Sequence, residues 1–433
     1  MAGPQPGRPE TMTCALRYPR VRMLRRPLSL IACLLMVASA CTSETGTTTT
    51  VAVESTVTTA PPLPTDVSDL PGRLVVVDDD GNIVTMDPDG ADPAPVTDDA
   101  GDTVRYGQPT FSPVTDRLAW SETSTDGPGL GSSDDEGAGR VSVPMSAPPF
   151  FIYWSPDGNR IGVLHNGLQG IDFEIVDVAS NTTKVLASGA PFYFSWSPDS
   201  SQVAVHVQLE LFATLDLEGN TTDLGATADG YQAPEWTPAG IIHLADDGLE
   251  LRQVAGSASL LATAPGPVAF VANRQGTRLA VQSFVADEAP GINAAVTPTP
   301  ALAANRVMVV DVETGELSEV VASPSVGLFW SPDGERLLVL RPSEEEAGEL
   351  TTLVWEDGDA KELSTIAPHP AFVQEVLQFF DQYGQSLQLW SPDSSAFALV
   401  GAIEGDPGVW VHTIAGGDPV KVYEGSWVSW SST

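Results

Sequence analysis

The feature that most constrains this chain is a phrase that it repeats. "FWSPDGERLLVL" (329–340) returns as "YWSPDGNRIGVL" (153–164), "SWSPDSSQVAVH" (195–206) and "LWSPDSSAFALV" (389–400). Weaker copies are "TFSPVTDRLAW" (110–120), "EWTPAGIIHL" (235–244) and "SWVSWSST" (426–433), and "VANRQGTRLAVQ" (271–282) has Ala272 where the others have an aromatic. The anchors are therefore Phe111, Trp154, Trp196, Trp236, Ala272, Trp330, Trp390 and Trp430, spaced 43, 42, 40, 36, 58, 60 and 40 residues apart. Six of the ten tryptophans occupy them, so they are expected to pack between repeats rather than to recognise a ligand.

Each copy has the same local logic. The aromatic ends a short strand, and Ser-Pro-Asp-Gly turns the chain: Pro fixes φ, Asp caps the turn and Gly accepts a positive φ. Asp157, Asp199, Asp333 and Asp393 recur in that turn, which argues for a structural role. An aliphatic run such as "RLLVL" then reads as a buried strand. A third strand ("RVMVVDVETG") and a more polar fourth ("ELSEVVASP") follow. Four antiparallel strands about every 40 residues predict the blades of an all-β single β-propeller over 73–433. "RLVVVDDDGNIVTMDPDG" (73–90) matches the second and third strands of a unit that lacks its first, and "WVSWSST" is a first strand with nothing after it. Joined as a 3+1 clasp, they complete one blade and remove the free edges. Seven full units plus this composite predict eight blades; seven is the alternative, because 117–155 shows no clear fourth strand.

Three stretches interrupt the repeat. "ETSTDGPGLGSSDDEGAG" (122–139) and "ADEAPGINAAVTPTPALAAN" (286–305) read as loop insertions. "PAFVQEVLQFFDQYGQ" (370–385) is different: Phe372, Val376, Phe379, Phe380 and Tyr383 recur at helical spacing, predicting an amphipathic helix of about three turns. Its plain reading is a helix that covers a blade surface. Its functional reading is a partner contact through Phe372, Phe379, Asp381, Gln382 and Tyr383.

The N-terminus reads as an address. "MLRRPLSLIACLLMVASAC" (23–41) has a basic head, an apolar core and small residues directly before Cys41, the form of a secretory signal over 1–40 with Met23 as the expected start. It resembles a bacterial lipobox, in which that cysteine receives lipid; Ala38 stands where Leu is commoner. The Thr-rich "TSETGTTTTVAVESTVTTAPPLPTDVSDLPG" (42–72) is expected to be a flexible tether. Of the three cysteines (14, 33 and 41) only Cys41 would survive processing, which leaves an exported body with no internal disulfide. The expected location is therefore the outer face of the bacterial cell membrane or the periplasm, with the membrane attachment through Cys41.

Charge excludes one class of partner. Residues 41–433 carry 14 basic and 56 acidic groups, and such a body repels nucleic acid.

The "WSPDG" units with their apolar strands resemble the TolB-like propeller repeat, a WD40-like repeat shared with the propellers of prolyl-oligopeptidase-type peptidases. The resemblance implies the fold over 73–433 and little about function. The α/β domain that precedes the TolB propeller, and the hydrolase domain of the peptidases, have no counterpart in this sequence.

No sequence motif specifies chemistry. There is no G-x-S-x-G elbow and no GK[ST] loop. The five histidines (165, 206, 243, 369 and 412) lack zinc spacing. "DDDGN" (78–82) and "DPDGAD" (87–92) do not complete a calcium loop. No catalytic residue, metal or cofactor is expected. The preferred reading is a monomeric, lipid-anchored, non-catalytic propeller that binds a protein, peptide or glycan. The alternative is a secreted hydrolase or lyase with a carboxylate site in the central funnel.

Overall fold

The computed structural model describes residues 63–225, 227, 233–254, 256–264, 268–284, 302–303 and 305–432. The signal segment, Cys41 and the Thr-rich stretch as far as Pro62 lie outside them, as does nearly all of 286–305.

The described residues form a β-propeller of eight blades. Blade 1 is the composite: Trp427–Trp430 pairs with Leu74–Val77 in the register Leu74↔Trp430 to Val77↔Trp427, and Ile83–Met86 and Ala94–Pro95 follow outward. Blades 2 to 7 have inner strands Arg105–Phe111, Pro149–Trp154, Phe192–Trp196, Glu235–Thr237, Val268–Ala272 and Gly327–Trp330. Blade 8 keeps only a bridge between Trp390 and Phe397 in place of a full inner strand, beside Ala396–Ile403, Asp406–Thr413 and Val420–Tyr423. The long outer strand of blade 7, Asp359–Pro368, crosses to blade 8 through Ala367↔Ala402 and Pro368↔Gly401.

Burial explains the composition of the strands. Inner and second strands are sandwiched between neighbouring blades, so Phe192–Trp196 is buried throughout and Leu337 to Leu340 are fully buried. The outermost strands face water, and Thr182–Gly189 is mostly exposed and polar. Four of the anchor tryptophans tie their blades to the ones before. The indoles of Trp154, Trp196, Trp330 and Trp390 donate to the carbonyls of Thr110, Tyr153, Val271 and Phe329, the residues just ahead of the preceding anchors. The turns add a second tie. Where Ser200 and Ser394 replace the turn glycine at positive φ, their hydroxyls accept the N–H of Asp157 and of Asp333 in the preceding blade.

Three expectations need correcting. Residues 122–139 are not an insertion: Gly127–Asp134 is the third strand of blade 2, and Val141–Pro144 is the fourth strand that seemed missing. The strand is glycine-rich because a Cβ on Gly131 would lie 2.1 Å from the Trp120 indole nitrogen. The tether expected to run to Gly72 ends sooner. Asp66 caps a 3-10 turn at Val67–Asp69, and Val67 and Leu70 are buried in the cluster that holds Trp430. Finally, 370–385 is no continuous helix. It breaks into Pro370–Glu375, a 3-10 turn Leu377–Phe379, a turn Phe380–Tyr383 and a 3-10 turn Gly384–Ser386.

Candidate functional site

The broken helix runs through the centre of the ring. His369 caps its start, with the Nδ1 accepting the Ala371 N–H. From there the segment meets the inner strand of every other blade in turn. Trp430 of blade 1 donates its N–H to the Gln388 carbonyl, and the Gln388 side chain donates to the Phe111 carbonyl of blade 2. Tyr383 stacks on Phe151 of blade 3 with ring centroids 3.5 Å apart and donates its hydroxyl to the Phe192 carbonyl of blade 4. Gln385 donates to Glu235 of blade 5, Gly384 lies against Val271 of blade 6, and Phe380 meets the edge of Phe329 in blade 7. The segment thus stands in the place of the eighth inner strand and plugs the axis. Its breaks follow from this task, since one straight helix cannot follow seven strands that converge on a ring.

The plug divides the centre into two compartments. At the starting ends of the inner strands, an apolar cavity of about 190 Å³ lies between the plug and blades 1 to 4. Phe379, Gln382 and Tyr383 line one side; Phe150, Phe151, Phe192 and Trp427 line the other. At the turn ends, a funnel of about 330 Å³ is walled by Trp154, Trp196, Trp236 and the prolines that follow them, with Arg274 among them. Gln385, Ser386 and Gln388 form its floor.

The expected contact residues therefore separate. Phe379, Gln382 and Tyr383 reach the cavity, whereas Phe372 is buried in the core and presents no surface. Asp381 is not among the cavity residues. It adds its charge to the field at Glu235, and burial raises its own carboxyl.

Glu235 is the carboxylate that the repeat did not advertise. It is 4% exposed and accepts the Ala272 N–H and the Gln385 amide. At blades 3, 4, 7 and 8 an anchor indole bridges to the preceding blade; blade 6 has Ala272 instead, and the Glu235 carboxyl makes the connection. Burial, reinforced by Asp381, pushes this carboxyl well above the usual range. Below the ordinary carboxylate pKa the group is neutral in both folded and unfolded chain. Above it, ionisation favours the unfolded chain, because there the charge is hydrated. Glu235→Gln keeps an acceptor for Ala272 and is expected to raise the thermal midpoint by a few degrees at pH 7, with no gain at pH 4. A lower midpoint at pH 7 would show that the charge itself is needed.

The remaining sequence candidates are structural in placement. The turn aspartates serve their own turns: Asp199 accepts from the Ser197 and Ser201 hydroxyls and the Ser201 N–H, which hold it below the usual range. His165 is fully buried with Nε2 2.8 Å from Glu174, and burial lowers His412 to about 3. Among the described residues, no three His, Cys, Asp or Glu side chains are grouped to hold a metal ion, and no helix is long and apolar enough to cross a membrane. Sequence reasoning passed over Glu235 and Arg274. The signal for both was the degraded copy at 271–282, where Ala272 and Arg274 replace the anchor and the turn proline.

No protein-family model matches the chain, and no curated protein matches it by sequence. Similar solved structures include the dihydro-heme d1 dehydrogenase NirN in complex with DHE, with a TM-score of 0.55 at 14% identity over 87% of this chain and 78% of that one. An oligogalacturonate lyase in complex with manganese aligns with a TM-score of 0.50 at 14% identity, over 81% of this chain and 96% of the lyase. TolB from Acinetobacter baumannii aligns at 15% identity with a TM-score of 0.39, over 68% of this chain and 62% of TolB's own length. At these identities the likeness is one of fold.

Proposed function

We propose that this chain is an exported, lipid-anchored propeller of TolB-like build that binds a partner without catalysis. Cys41 carries the anchor, the Thr-rich stretch gives reach, and the apolar cavity beside the plug receives an aromatic or aliphatic side chain of a protein or peptide. The observation that carries this reading is the plug itself. The chain's own segment blocks passage along the ring axis, and the cavity on one side of it is lined mainly by aromatic and aliphatic groups.

One observation favours the enzyme reading: Glu235 has a raised carboxyl, with Asp381 acting on it. Against it, Glu235 is engaged by Ala272 and Gln385 and faces protein rather than open space.

The test is capture of partners from native envelopes with matched variants. Cys41→Ser is expected to shift the chain from membranes to the soluble fraction. Phe379→Asp is expected to remain on membranes and to lose at least tenfold of the captured partner, while Glu235→Gln retains it. A Cys41→Ser chain that stays in the membrane would refute the anchor. A glycan that the wild type turns over and Glu235→Gln does not would replace binding with catalysis.

A further inference from the structure

The rim of the funnel on the turn side is regular in six of the eight blades. Two residues past the anchor stands Pro113, Pro156, Pro198, Pro238, Pro332 or Pro392 in six blades and Ser432 in blade 1. In blade 6 the same position is Arg274, which is exposed and lines both the funnel and an adjoining pocket of about 50 Å³. In a chain of net charge −37, its guanidinium forms no ion pair with any described residue. Arg278, four residues further on, is by contrast held by Glu335 and Asp357.

The same copy also lacks its indole. Trp154, Trp196, Trp390 and Trp430 are at most 4% exposed, but Trp236 and Trp330, which flank the blade of Ala272, stay half-buried. Ala272 lines the smaller pocket together with Trp330 and Arg274, so the missing indole leaves space beside that cation. Tyr153 lines the wall, Gln385 and Ser386 lie on the floor, and the side-chain amide oxygen (Oε1) of Gln388 there has no donor among the described residues.

We propose that this funnel is a binding site for a small organic carboxylate with a flat body. Arg274 would pair with the carboxylate through its planar fork of donors. The body would lie against the indole of Trp236 and the prolines of the rim, with Trp330 in the adjoining pocket of about 50 Å³ that Arg274 also lines. A compartment of about 330 Å³ is at the lower end of the range of small-molecule sites, roughly 300–1,000 Å³. One guanidinium in a strongly acidic chain suits a monoanion; a phosphate dianion would need further donors and would meet more repulsion. The site lies at the opposite ends of the inner strands from the partner cavity and does not depend on it.

Hippurate, a flat aromatic acid, and its neutral amide hippuramide form the matched probes, titrated by calorimetry and by tryptophan fluorescence. Hippurate is expected to bind at least tenfold more tightly than hippuramide and to change the tryptophan emission. Arg274→Gln is expected to erase that difference and Arg274→Lys to keep part of it, with thermal midpoints not lowered, because Arg274 has no ion pair among the described residues to lose and its surroundings disfavour its charge. Absence of hippurate binding, equal binding of the amide, or undiminished binding by Arg274→Gln would each overturn the proposal.

Discussion

Deleting residues 426–433 is expected to abolish the thermal transition of the ring, not merely to lower it. The deletion takes away Trp427 and Trp430, 8% and 0% exposed, and the strand that pairs with Leu74–Val77. It also removes the Trp430 indole bond to the Pro71 carbonyl and the Trp427 indole bond to the Pro109 carbonyl of blade 2. Truncating a single buried tryptophan costs about 3–5 kcal/mol. Two of them, with an unpaired inner edge, exceed most of the roughly 5–15 kcal/mol that holds a domain together. The milder Trp430→Ala is expected to lose about 3–5 kcal/mol in denaturant unfolding. A truncated chain that melts at the wild-type temperature would show that the clasp contributes nothing.

The second large effect is expected at Tyr383. Tyr383→Ala removes the ring stacked on Phe151, the hydroxyl bond to Phe192 and the contact with Tyr193 at a 6.4 Å centroid distance. The loss should be about 3–5 kcal/mol, and it should enlarge the neighbouring cavity. Tyr383→Phe keeps the stack and leaves the Phe192 carbonyl without its donor, for a loss of about 1–3 kcal/mol. Val373→Ala, on the exposed side of the same segment, is expected to change nothing measurable, since Val373 is 42% exposed. Denaturant midpoints of the three variants give the comparison; equal losses for Tyr383→Ala and Val373→Ala would mean that the plug is not anchored through its aromatic face.

How much of this was legible depends on whether the signal is local. The anchors, turns and clasp were readable because Trp, Pro, Asp and Gly act within one turn, and the chain repeats that turn. The third strand of blade 2 was not, because its composition is set from outside: Gly131 is glycine to make room for Trp120. The plug was half legible. Periodicity marked an apolar face at Val376, Phe380 and Tyr383, but it carries no information on what that face meets, which here is an axis shared by strands almost 300 residues apart in sequence. Arg274 was in plain view as the odd residue in a weak copy. Its meaning appeared only when the other copies were seen as a ring of prolines.

The plug also bears on how the chain reaches its fold. In an open stack of repeats each unit touches only its neighbours, so units can form and melt piecemeal. Here one segment near blade 8 contacts blades 1 to 7, bringing Gln388 to Phe111 and Tyr383 to Phe151 and Phe192. Such contacts raise the mean sequence separation and so slow folding. They also give the array a hub that can seat only when all the spokes are in place. Partly built rings gain little from it, so the passage from chain to ring should be slow, late in its rewards and largely all-or-none.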